Sequence, residues 1–98
     1  MIIEYKSGKI RKACQVYEVA AKQYGQDAAR KLHQRISEIE AADSIETLVK
    51  YHVGRCHPLK GDREGQYSMH LTEPYRLIFD EVNVGVIKIR IIEVVDYH

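Results

Sequence analysis

The chain has 98 residues, 45% of them hydrophobic and 30% charged, with a formal net charge of +1. That describes one globular domain, spanning residues 1–98: too small for two cores, too apolar for a disordered chain, and too evenly charged for composition alone to suggest a polyanionic partner. No apolar run approaches the about 20 residues that cross a bilayer, so no membrane-spanning helix is expected.

The opening Met1-Ile2-Ile3-Glu4-Tyr5 lacks the basic start and apolar stretch of a secretory signal. With two cysteines, Cys14 and Cys56, it reads as a cytoplasmic protein with free thiols. Ile2-Ile3 offers an edge strand. Ile10, Ala13, Cys14, Tyr17, Ala20, Ala21 and Tyr24 recur at helical spacing until Gly25 stops them, predicting a first amphipathic helix. Ala28, Ala29, Leu32, Ile36 and Ile39 repeat the pattern, with Arg30, Lys31, Gln34, Arg35 and Glu38 on the opposite side. The short connection implies an antiparallel helical hairpin. Asp43, followed three positions on by Glu46, resembles a capping box opening a turn of helix through Val49.

A polar segment follows, from Arg55 to Tyr67, which holds His57, Lys60 and Arg63. From Gly65 the period changes to two. Tyr67, Met69 and Leu71 alternate with Ser68 and His70; after Glu73-Pro74, Tyr75, Leu77 and Phe79 alternate with Arg76 and Ile78. Asn83-Val84-Gly85 turns the chain into a last strand, where Ile87, Ile89 and Ile91 alternate with Lys88 and Arg90 before Ile92, Val94 and Val95 break the rhythm. That break is either a bulge or a strand buried on both faces. The fold class is therefore α+β: an N-terminal helical hairpin on one face of a small, mainly antiparallel sheet of three to four strands, the other face left to bind.

The sequence runs from that last strand into Asp96-Tyr97-His98, an acid, a phenol and an imidazole suited to handling protons. Strand parity puts Ser68, His70 and Arg76 on the face opposite the apolar set. Arg55, His57, Lys60 and Arg63 stand in the segment leading into that face, so a second imidazole and fixed cations would meet it. Each candidate also has a plainer reading. His57 would be a solvated loop residue, Lys60, Arg63 and Glu64 a surface charge cluster, and Arg76 the partner of Asp80 or Glu81 in a weak ion pair. Tyr67 and Tyr75 read as packing residues, as does Cys14. His52, Cys56 and His57 follow no zinc-finger spacing, so no metal is expected.

The segment His57-Pro58-Leu59-Lys60-Gly61-Asp62-Arg63-Glu64-Gly65-Gln66-Tyr67, then Tyr75-Arg76-Leu77-Ile78-Phe79, then Val95-Asp96-Tyr97-His98, resembles the HigB branch of the RelE/ParE superfamily of bacterial toxins. The likeness is close over the second half; the first half matches only in its paired helices. It implies the toxin of a type II toxin–antitoxin system: a ribosome-dependent mRNA endonuclease, needing neither metal nor cofactor, that drives the RNA's own 2'-hydroxyl against the adjacent phosphate. Position by position, His57, Lys60, Arg76, Asp96, Tyr97 and His98 match the family's functional pattern. Lys60 and Arg76 would stabilise charge, His57 and His98 transfer protons, Asp96 orient an imidazole and Tyr97 stack or donate. Arg55, Arg63, Ser68 and His70 would line the RNA. His70 departs from the pattern, standing where relatives carry an arginine. The implied partners are mRNA, the ribosome and a HigA-like helix-turn-helix antitoxin through which operator DNA is bound; no membrane is involved. Two alternatives stay open: a ParE-like inhibitor that binds DNA gyrase without cutting anything, and a degenerate toxin that survives as a binding module.

Overall fold

A computed structural model describes residues 1–97; the reading of His98 lies outside them. Local chemistry sets the helix ends. The Ser7 hydroxyl accepts from the Ile10 amide and caps α1 (Gly8–Gln15), and the Ser44 hydroxyl accepts from the Thr47 amide and caps α4 (Ile45–Lys50). Ser44, not Asp43, is thus the cap: the capping-box reading was one residue early. The stripe predicted as one helix to Tyr24 is broken at Val16, whose φ of −119° and ψ of 110° are extended. α2 (Tyr17–Tyr24) resumes beyond it and gives way at Gly25 to α3 (Gln26–Ala41). Three helices therefore stand where a hairpin was expected. Val16 carries no cap signal, but a β-branched residue settles into extended backbone at little cost.

Five strands form one sheet in the order β1-β5-β4-β3-β2: β1 (Ile2–Tyr5), β2 (His57–Pro58), β3 (Gln66–His70), β4 (Tyr75–Asn83) and β5 (Ile87–Asp96). The expected three to four strands are corrected to five, and the sheet is mixed. β1 runs parallel to β5, which the long helical crossover between them permits. Ile2-Ile3 does form an edge strand. The broken alternation in β5 is a bulge: Ile78 faces Glu93 and Phe79 faces Ile91, so Ile92 is the extra residue.

The helices cover one face. Leu32, Ile36 and Ile39 of α3 and Leu48 of α4 pack with Met69, Leu77, Phe79, Ile89 and Ile91 of the sheet, all buried. Tyr67 stacks on Phe79 and Tyr75 meets Tyr24 edge-on, as their packing reading requires. No described helix is long and apolar enough to cross a membrane.

Candidate functional site

The uncovered face of the sheet is built in rungs. His57 pairs with Ser68, Ser68 with Ile78 and Ile78 with Glu93; on the next rung His70 pairs with Arg76 and Arg76 with Val95. Opposed residues share a face, so His57, His70 and Arg76 converge there. The His57 and His70 rings meet edge-on with centroids 6.4 Å apart.

Each side chain is held. The Arg76 guanidinium, 13% exposed, donates to the Glu73 carboxylate at 2.8 Å and to the Tyr75 carbonyl at 2.9 Å. Its expected partner was Asp80 or Glu81. Asp80 is instead taken by Arg90 in a two-point contact, and Glu73, in the turn before β4, is the actual partner. His57 Nδ1 lies 2.8 Å from the Arg55 carbonyl. A carbonyl can only accept, so the proton sits on Nδ1 and Nε2 is left as the working nitrogen. Burial pushes the His70 pKa below its ordinary value, and the charges of Arg76 and Arg55 push it further, against a raising contribution from Glu73. Its surroundings thus disfavour the protonated form of His70, which stands where an arginine would carry a fixed charge.

The segment feeding the site is unusual. His52, Gly54 and Arg55 all have left-handed φ, at 52°, 55° and 56°. Two non-glycine residues there cost about 1–3 kcal/mol each, a strain that the surrounding structure must hold. Behind the segment lies Arg35 of α3, 8% exposed, whose Nε donates to the His70 carbonyl at 2.8 Å. The sequence reading put Arg35 on the solvent side of its helix, yet positions 32, 35, 36 and 39 make a regular apolar-side stripe. Spacing alone could have found it; its charge argued against it.

The remaining candidates divide. Lys60 is exposed beside His57-Pro58, and no hydrogen bond or ion pair engages its ammonium among the described residues. Arg63 is committed, its guanidinium bridging Gln66 at 2.9 Å and Glu93 at 3.1 Å across the face. Ser68 is 1% exposed and its hydroxyl finds no partner among the described residues, so it lies beneath the surface it was expected to line. Asp96 pairs in register with Tyr75, on the parity that faces the helices, not with Arg76. Tyr97 is 45% exposed, and its amide donates to the Pro74 carbonyl at 3.0 Å, tying this end to the turn that carries Glu73. Both cysteines are free and buried, and burial pushes their thiols up, to about 12 for Cys14 and about 11 for Cys56. They are packing groups, unfit as nucleophiles.

No protein-family model matches the chain, and no curated protein matches it. Among solved structures it is similar to a YoeB/ParE toxin from Agrobacterium tumefaciens, with a TM-score of 0.63 and 19% identity, over 100% of this chain and 99% of that one. This is the fold of a YoeB/ParE toxin. The correspondence runs the length of both chains, so the five-stranded sheet and the helices over one face belong to it together.

Proposed function

We propose that the protein is the toxin of a type II toxin–antitoxin system and acts as a ribosome-dependent, metal-independent mRNA endonuclease of the HigB kind. The observation that carries this reading is the meeting of His57, His70 and Arg76 on one open sheet face, with the charge of Arg55 beside them. It rests also on the shared fold and on the family pattern in the sequence.

His57 Nε2, freed by the hydrogen bond at Nδ1, takes the proton of a ribose 2'-hydroxyl. The oxygen attacks the adjacent phosphorus and the bond to the 5'-oxygen breaks. Arg76 and Lys60 stabilise the extra negative charge on the pentacoordinate phosphorus. The leaving oxygen takes a proton from an acid, a role assigned to His98 on the family pattern alone. The products are a 2',3'-cyclic phosphate and a 5'-hydroxyl. His70, flanked by cations that disfavour its protonation, orients the ribose or phosphate by hydrogen bonding. A small DNA-binding antitoxin would silence the toxin by covering this face.

The name of the structural neighbour spans ParE as well, and a ParE-like chain would inhibit gyrase without cutting RNA. Primer extension on cellular transcripts after induction separates the two. Wild-type protein should generate new 5' ends, while His57→Ala and a chain lacking Tyr97-His98 should generate none and still fold. Intact transcripts with damaged DNA would replace the nuclease reading with the gyrase one.

A further inference from the structure

We propose that Arg35, in the middle of α3 and remote from any RNA, is a positioning residue that sets the spacing between the two halves of the site. The inference rests on the nuclease reading for its consequence in activity, but not for its geometry.

The two halves arrive from different parts of the chain. Arg55 and His57 come from the segment after α4, and His70 and Arg76 from β3 and β4. Arg35 touches both. Its Nε donates to the His70 carbonyl at 2.8 Å, at the end of β3. Its other side packs on Gly54 so closely that a Cβ there would lie 2.5 Å from Nε and 2.8 Å from Cζ. Gly54 is therefore required twice, for its φ of 55° and for the absence of a side chain. The guanidinium is itself fixed by Glu38, which accepts from Nη1 at 2.8 Å.

Geometry passes outward from there. With Gly54 pressed against the Arg35 side chain, Arg55 follows in left-handed backbone and its carbonyl receives the His57 Nδ1 proton. The His57 ring direction thus depends on a turn that Arg35 supports, while the backbone of the facing His70 depends on the same side chain. A planar fork can serve carbonyl, carboxylate and glycine at once; a lysine ammonium supplies charge without that plane.

The test pairs Arg35→Lys with wild type. Imidazole titrations of His57 and His70, followed by NMR without RNA, are read beside cleavage of a ribosome-bound message. In Arg35→Lys the His70 titration should move up toward its ordinary value as the ring gains solvent, and the His57 Nδ1 proton signal should weaken. Cleavage should fall by about 100-fold, the scale expected for roughly 1 Å of misplacement, with binding of an uncleavable 2'-deoxy message little changed. Unaltered titrations in a folded variant would overturn the proposal. If wild type cleaves nothing, the nuclease reading fails while the titrations still judge Arg35. If the variant does not fold, the wild-type protein decides: the Arg35 Nε proton must exchange with solvent more slowly than that of exposed Arg30 and show a through-space contact to Gly54, and rapid exchange with no contact would refute the inference.

Discussion

Arg76 is the most constrained cation on the open face, and its carboxylate partner is the weak member of the pair. Glu73 is 73% exposed, so the ion pair contributes at most about 1 kcal/mol and yields to a phosphate that offers more charge and more acceptor oxygens. On the proposed nuclease reading, Glu73 is a placeholder that an RNA phosphate would have to displace. Replacing Glu73 with Gln should tighten binding of a short RNA by up to about fivefold, measured as Kd at low salt, with the gain shrinking as salt is raised. His70 makes a second prediction at this scale. Its folded pKa lies below its unfolded value, so between the two the unfolded chain binds more protons and stability falls as the pH drops through that window. Urea midpoints should thus decline from pH 7.5 to pH 5.5 more steeply in wild type than in His70→Gln, which stays neutral. Equal slopes would mean that His70 is not shielded as described.

At the scale of elements, β4 does most to hold site and core together. Its odd residues face the helices and its even ones face the open side: Phe79 is buried on Tyr67 while Arg76, three residues earlier, stands in the site. Phe79→Ala should cost about 3–5 kcal/mol, read as a lower urea midpoint with a similar m-value. Strand parity made this face legible from sequence by putting His70 and Arg76 on one surface; that they share a rung is a matter of register, which parity does not give. The odd–even count from Val95 gives Asp96 the parity of Tyr75, a register that nearness along the chain to Tyr97 does not reveal. The bulge at Ile92 was visible as a lost alternation. What local pattern did not reveal was long-range: that Arg35 is buried because two distant backbones need it, that Arg63 reaches Glu93 across the sheet, and that β1 returns to lie beside β5. Val16 and Ser44 were missed for a smaller reason, since a helix break and a choice between adjacent caps differ by little in energy.

Across the whole molecule, the sheet order places β5 between β1 and β4. β5 carries hydrogen bonds on both edges, to β1 and to β4, and donates Ile89 and Ile91 to the core. β4 has β3 beside it already, but β1 has no strand neighbour until β5 exists, and a pairing so distant along the chain forms late. Chains stalled on the ribosome with β5 still inside the exit tunnel should be cut readily by a nonspecific protease, and chains extended until β5 has emerged should resist it. Early resistance would contradict this. A sheet whose first strand waits for its fifth stays open along one edge until the fifth has been made, so synthesis itself holds the finished binding face back.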